Sequence, residues 1–390
     1  MTKKTVGVIT LHNSPNYGSC LQTYATQRVL DNLGVNVCII DYYRHDAIPE
    51  NETDRALNGQ LARKLPVFRI PGVKALARIP VSKMVERRAA PLNDFRQSAL
   101  NLTSRKYYSS EELEMEPPAC DVYCTGSDQV WNSKWNGGFE RAFYLSFAPE
   151  GARRIAYASS IGKSSLEEWE IPLMREALSR YSAISVREAE AADLLDSIGI
   201  HGAVPVIDPT LMLKPAEWEA VSDGWMPERP YILLYQLNRN PDFDAYAQRV
   251  SKLTGLPIMR IAYGVHEKRR NETSVICPTV GRFLSLFFGA ELVLTDSFHG
   301  AAFSVNLEKP FVSIAPERFS SRIGNLLAMT GLEGRLLDDW NDVTLASEKL
   351  DFSGARAVIA RERGRAQDFL RGALAQGKQD ESTTTTKRSK

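Results

Sequence analysis

The chain is expected to fold as two doubly wound, parallel α/β domains facing each other across a cleft. Three observations predict this. At 390 residues the chain exceeds what one hydrophobic core usually serves. Short apolar runs alternate with helix-length segments along most of its length, as in parallel sheets covered on both faces. The alternation is broken by a connector over residues 208–229 that contains Pro209, Pro215, Trp218, Trp225 and Pro227.

Residues 6–11 read as a first buried strand, followed by a loop, a helix from about Cys20 to Leu33 stopped by Gly34, and a second strand over 35–42. A basic stretch comes next. Pro66, Pro71, Pro80 and Pro91 interrupt it, which predicts short helical pieces within an insertion. Strands are then expected over 121–125, 154–159, 183–186 and 203–207, with helices near 166–180 and 188–198. Beyond the connector, strands over 231–237, 257–262, 292–295 and 310–314 alternate with helices near 242–253, 279–288 and 300–306. The expected domains are 1–215, with the insertion at 47–115, and 216–345. A helix over 346–376 and a disordered polar tail over 377–390 complete the plan.

Composition narrows the class. A hydrophobic content of 43%, 24% charged residues and a net charge of +1 describe a soluble globular protein with no global case for a nucleic-acid partner. Charge is nonetheless uneven: residues 55–106 hold twelve Lys or Arg against two acids, Glu86 and Asp94, a local excess of +10. Five cysteines, Cys20, Cys38, Cys120, Cys124 and Cys277, lack paired short spacings, which predicts reduced thiols and no metal site. No apolar run approaches membrane-spanning length, so the expected location is cytoplasmic or peripheral at the inner face of the membrane.

The most suggestive histidine, His299, follows the strand-like run Leu292-Val293-Leu294-Thr295 and precedes the helix-like Ala301-Ala302-Phe303. Strand-to-helix junctions in open α/β sheets collect anions, and an imidazole there can also move a proton near neutral pH. The plainer use is a helix cap or a packed core residue. Four other loops invite similar readings. In the first, Gly18 permits close backbone approach, while Asn13, Asn16, Tyr17 and Gln22 suit sugar hydroxyls; an ordinary turn capped by Ser19 is the alternative. In the second, Ser127 or Asp128 caps a short helix, or Ser127, Asp128, Gln129, Trp131, Asn132 and Trp135 form an acceptor-sugar platform. Arg187 ends a strand and either holds a carboxylate or phosphate, or pairs with Glu188 or Glu190. Asp208 reads as a helix cap at the connector. Neither first-strand loop carries the Gly-x-Gly-x-x-Gly pattern of a nicotinamide enzyme.

Taken together, Asn16-Tyr17-Gly18-Ser19 with Leu21-Gln22-Thr23-Tyr24-Ala25, Gly126-Ser127-Asp128-Gln129-Val130-Trp131-Asn132, Ser185-Val186-Arg187-Glu188, Asp208-Pro209-Thr210 and Ser297-Phe298-His299-Gly300 resemble the polysaccharide pyruvyl transferase family. The resemblance implies a glycosyltransferase-B-like fold. It also implies transfer of the enolpyruvyl group of phosphoenolpyruvate, as co-substrate and with no other cofactor, to two hydroxyls of a sugar or lipid-linked oligosaccharide. Arg187 and His299 correspond to family residues associated with donor binding and catalysis, and the donor site would take in Ser297, Phe298 and Gly300. The acceptor would meet Asn16, Tyr17, Gly18, Ser127, Asp128, Gln129, Trp131 and Asn132. Characterised donor sites can carry an arginine two residues before the histidine, where this chain has Ser297. Arg260, Arg282, Lys309 and Arg318 are the candidates to replace that charge. The alternatives are a nucleotide-sugar-dependent glycosyltransferase and a non-catalytic sugar-binding relative. The basic residues 55–106 read either as a solvated lid or as a contact with an anionic membrane surface.

Overall fold

Strand β1 (Thr5–Ile9) starts a parallel sheet because Val6, Val8 and Ile9 are apolar and fully buried. Helix α1 (Tyr17–Asn32) follows, capped by Asn16, whose Oδ1 accepts from the backbone N–H groups of Gly18 and Ser19 at 2.8 and 3.3 Å. The helix therefore starts three residues before Cys20, and Asn16 rather than Ser19 is the cap.

The computed structural model describes residues 3–45, 48–58, 72–315 and 321–375. The expected tail at 377–390, Pro66, Pro71 and Arg318 lie outside the described residues. The first half continues through β2 (Asn36–Tyr42), α2 (Pro49–Asn58), α3 (Val73–Ala99), β3 (Leu102–Tyr107), α4 (Ser110–Met115), β4 (Val122–Thr125), α5 (Ser133–Asn136), β5 (Arg153–Ser159), α6 (Ile171–Leu178), β6 (Ala183–Val186), α7 (Ala189–Ser197) and β7 (Val204–Pro205). The connector forms α8 (Pro209–Met212) and α9 (Pro215–Glu219). The second half holds β8 (Ile232–Tyr235), α10 (Pro241–Thr254), β9 (Ile258–Ala262), β10 (Glu272–Ile276), α11 (Val280–Phe288), β11 (Leu292–Thr295), α12 (Phe298–Asn306), β12 (Phe311–Ser313), α13 (Ser321–Thr330) and α14 (Ser353–Ala375).

Two fully parallel sheets result, ordered β3-β2-β1-β4-β5-β6-β7 and β10-β9-β8-β11-β12. Each winds outward from its first strand and then reverses, which places switch points between β1 and β4 and between β8 and β11. This is the expected pair of Rossmann-like halves in a glycosyltransferase-B-like arrangement. The stretch read as an insertion differs from expectation in two ways. It contributes strand β3 to the first sheet, and Val73–Ala99 is one helix that contains Pro80 and Pro91.

One hydrophobic core runs through both halves, joining Val6, Val8 and Leu21 of the first to Leu233, Phe283 and Phe303 of the second. Tyr17 stacks on Phe283 at 4.5 Å and its hydroxyl donates to the Pro278 carbonyl at 2.5 Å. The final helix returns to the first sheet, where Lys4 Nζ and Arg153 Nε donate to the carbonyls of Leu374 and Ala373 at 2.8 and 2.7 Å. These contacts fix the spacing of the two halves around the cleft.

Candidate active site

Both switch points open on the same hollow. The loops after β1 and β4 and those after β8 and β11 line a cavity of about 600 Å³ between the halves. Asn16, Ser19, Asp128 and Gln129 face it from the first half, and Asp296, Ser297, Phe298 and His299 from the second.

His299 lies in the first turn of α12, whose cap Ser297 accepts from the Gly300 N–H at 3.3 Å. Its ring rests directly on Gly18 of α1: a Cβ at that position would come within 2.0 Å of His299 Nδ1. Only glycine lets the first helix approach the imidazole so closely. Two helix N-termini thus converge on one ring, an environment that disfavours added positive charge. His299 Nε2 is buried, lies 3.9 Å from Asp208 Oδ2 and has no hydrogen-bond partner. Burial pushes the imidazole pKa down; Asp208 and Asp128 oppose that, Arg187 and Arg322 reinforce it, and the net shift is downward from 6.5. The resting ring is neutral at neutral pH.

Behind the histidine sits a buried charge cluster. Arg187 NH1 donates to Asp208 Oδ2 at 2.8 Å and its Nε to Glu188 Oε1 at 3.0 Å, while NH2 stands 4.0 Å from Asp128 Oδ1. Burial disfavours the guanidinium, but Glu188, Asp208 and Asp128 outweigh it and raise its pKa. Burial likewise opposes ionisation of Asp208 and Asp128, and it is overcome by His299, Arg187 and Thr210 at Asp208 and by Arg187, His299 and Ser19 at Asp128. Both carboxyls are therefore held below their ordinary range. Asp128 also takes a left-handed φ of 73°, fixed by Ser19 Oγ donating to Oδ2 at 2.6 Å and by the Gln129 N–H donating to Oδ1 at 2.9 Å. Such a conformation in a non-glycine residue is costly and concentrates at functional sites.

The structure separates the two residues that the sequence pairs. His299 lines the cleft, whereas Arg187 lines a second cavity of about 480 Å³ behind it, and Phe298 and Arg322 line both. Asp208 links the pair, since its Oδ2 faces both side chains. Arg187 is thus the buried ion pair with Glu188 that the plainer reading describes, with Asp208 added. Asp208 caps α8 as expected, accepting from Thr210 N and Oγ1 at 2.8 and 2.6 Å.

Several acceptor candidates are structural here. Trp131 is 1% exposed and its Nε1 donates to the Phe143 carbonyl at 3.1 Å. Tyr17 is committed to the interface between halves, and Ser127 is fully buried. Asn132 is fully buried too; it caps α5 and donates to Gln129 Oε1 at 2.7 Å. Gly300 packs its helix onto β11, since a Cβ there would meet Thr295 Oγ1 at 2.2 Å. Asn16, Asp128 and Gln129 do face the cleft, with the half-exposed Trp135 offering the flat apolar surface instead of Trp131.

Of the cations considered in place of an arginine at 297, Arg260 lines the cleft but is held by Glu272, Asp244 and Gln236. Arg282 is held by Asp223, and Lys309 does not line the cleft. Arg322 lies beside the histidine's charge cluster, with its guanidinium 5.8 Å over the Phe298 ring, and the sequence offered no motif to find it. Asp296 was overlooked as well. It accepts from the backbone N–H groups of Leu237 and Asn238 at 2.6 and 2.8 Å, joining the ends of β8 and β11. Among the described residues no group of His, Cys, Asp or Glu is arranged to hold a metal ion.

The sequence pattern that defines the polysaccharide pyruvyl transferase family matches residues 16–318. No curated protein matches the chain. Among solved structures, a UDP-N-acetylglucosamine 2-epimerase from Rickettsia bellii is similar at 10% identity with a TM-score of 0.50, over 96% of this chain and 100% of that one. A UDP-GlcNAc 2-epimerase from Neisseria meningitidis, bound to UDP-GlcNAc, gives 11% identity and a TM-score of 0.48 over 96% and 100%. At these identities the Rickettsia likeness speaks to the fold alone.

Proposed function

The chain belongs to the polysaccharide pyruvyl transferase family, and on that premise we propose that it moves the enolpyruvyl group of phosphoenolpyruvate onto two hydroxyls of one sugar. The sugar is part of a cell-surface polysaccharide or its precursor, and the products are a cyclic pyruvate ketal and phosphate. One observation carries the reading: a neutral, buried imidazole in the interdomain cleft with its Nε2 unpartnered, next to two ionised carboxylates.

Because the resting ring is neutral, His299 acts first as a base. In one concerted relay it takes the proton of one sugar hydroxyl and passes it to the methylene carbon, so the double-bond electrons form the new C–H bond as the sugar oxygen bonds to the central carbon and the methylene becomes a methyl. The second hydroxyl then attacks the same carbon, its proton passing to His299 and on to solvent. The bond to the phosphate oxygen breaks, and phosphate leaves with the electron pair. Asp128 and Asp208 stabilise the transient imidazolium, and Arg187 positions Asp208. Arg322 beside Phe298 supplies charge for the anionic donor, with Arg88, Arg239 and Arg269 also lining the cleft. Asn16, Gln129 and Trp135 suit the sugar.

Isothermal titration tests donor choice. Phosphoenolpyruvate alone is expected to release heat on binding, and UDP-sugars none. The reverse result identifies a nucleotide-sugar glycosyltransferase, and sugar binding without either donor identifies a non-catalytic relative.

Two variants probe the histidine's surroundings. Gly18→Ala forces its methyl into the imidazole, and a displacement of about 1 Å is expected to lower phosphate release about 100-fold while circular dichroism still reports a folded chain. A wild-type rate contradicts the contact. Asp128→Asn removes a charge that raises the His299 pKa, so the ring becomes harder to protonate. The acid limb of kcat/KM, already expected below pH 6.5, should move to still lower pH. Its plateau should fall about tenfold for about 1.4 kcal/mol of lost imidazolium stabilisation. An unmoved limb would separate Asp128 from the histidine.

A further inference from the structure

Helix α3 leaves an apolar, cationic face uncovered. Leu76, Ile79 and Met84 are 80%, 66% and 47% exposed, among the most exposed large hydrophobic residues described. Lys83 and Arg87 are exposed on the same side of the helix, four and eight residues beyond Ile79, and Glu86 is the single acid from Val73 to Pro91. The helix turns inward further along, where Val85, Leu92 and Arg96 are buried, and Arg88 lines the cleft with its guanidinium 4.5 Å over the Tyr263 ring. One helix thus carries both a greasy basic face and part of the cleft wall. Lys74 and Arg78 lie on the other side, where Arg78 pairs with Asp54 and Lys74 Nζ donates to Asn58 Oδ1 at 2.8 Å, so α2 supports the helix from behind.

We infer that the face formed by Leu76, Ile79, Lys83 and Arg87 docks on an anionic lipid bilayer and sets the cleft mouth close to that surface. Charge selects this occupant. Lys83 and Arg87 give the face its positive charge, and each basic residue near an anionic leaflet contributes about fivefold in partitioning. Isolated leucine and isoleucine side chains add interfacial burial of the kind an amphipathic helix uses. The contact is peripheral: among the described residues no helix is long and apolar enough to cross a membrane. A second copy of this chain would bring the same positive charge against itself. The inference stands independently of the transfer chemistry, because binding is read without turnover.

The full chain should co-sediment with mixed phosphatidylcholine–phosphatidylglycerol vesicles and not with phosphatidylcholine alone, and added salt should release it. Leu76→Glu with Ile79→Glu is expected to abolish sedimentation. Lys83→Glu with Arg87→Glu should weaken it about 25-fold or more, at about fivefold for each positive charge lost. Both double variants should keep the wild-type melting temperature and affinity for phosphoenolpyruvate. Equal binding to neutral and anionic vesicles, or binding unchanged by either variant, overturns the inference. So does sedimentation equilibrium that finds a wild-type dimer, made monomeric by Leu76→Glu and Ile79→Glu, with no vesicle binding.

Discussion

Replacing His299 by alanine should lower phosphate release by about 10²- to 10⁴-fold, the range of one positioned acid–base group, and leave the fold intact. The fold survives because the imidazole donates to nothing: its Nε2 has no partner, and its Nδ1 side is pressed against Gly18. Its removal orphans no hydrogen bond and leaves a small gap between α1 and α12. Imidazole added to the solution can enter that gap from the cleft, and partial recovery of the rate is expected. A further readout is phosphoenolpyruvate affinity, which should change little, since the ring is neutral and carries no charge for the donor at rest. Wild-type turnover in this variant would remove the histidine from the reaction.

Arg187→Met should have the largest effect on stability, about 3–5 kcal/mol, because it leaves Asp208 and Glu188 buried without their cation. Urea unfolding measures this. The loss should depend on pH in a defined direction. Asp208 and Asp128 have depressed pKa values in the folded protein, so the stability they confer is present above the ordinary carboxyl pKa near 3.8 and disappears as pH falls through their folded values. The gap between wild type and variant is therefore widest near neutrality and narrows in acid. Arg187→Lys should recover part of it, since a single ammonium cannot serve Asp208 and Glu188 with separate nitrogens as the guanidinium does. A variant that melts like wild type yet binds phosphoenolpyruvate more than tenfold more weakly would instead place Arg187 in direct contact with the donor.

The buried centres of both sheets were legible in the sequence because their strands, such as Ile232–Tyr235 and Leu292–Thr295, are continuous apolar runs buried on both faces. Two of the four edge strands were not. Leu102–Tyr107 and Glu272–Ile276 each form the corresponding edge of their sheet and are only partly buried, so their residues lack that run. Helix Val73–Ala99 was hidden by Pro80 and Pro91, which ordinarily break helices. Around the site, loop positions after strands identified His299, Asp128, Asn16 and Gln129 because strand ends at a switch point must face the crevice. Which aromatic turns outward is a different matter. Trp131 and Trp135 are four residues apart in one polar loop, and only the burial of Trp131, with its indole N–H bonded to the Phe143 carbonyl, assigns the exposed role to Trp135. Arg187 looked like an anion receptor because two of its three carboxylate neighbours, Asp128 and Asp208, come from separate loops whose convergence no local pattern reveals, whereas the adjacent Glu188 was legible as a partner.

The most direct measurement is mass spectrometry of cell-surface glycan precursors incubated with the protein and phosphoenolpyruvate, with inorganic phosphate assayed in parallel. The account predicts one pyruvate ketal gained by an acceptor for each phosphate released, with both products falling together by about 10²- to 10⁴-fold in His299→Ala. Phosphate without a ketal, or modification of the acceptor by a UDP-sugar in place of phosphoenolpyruvate, would contradict it.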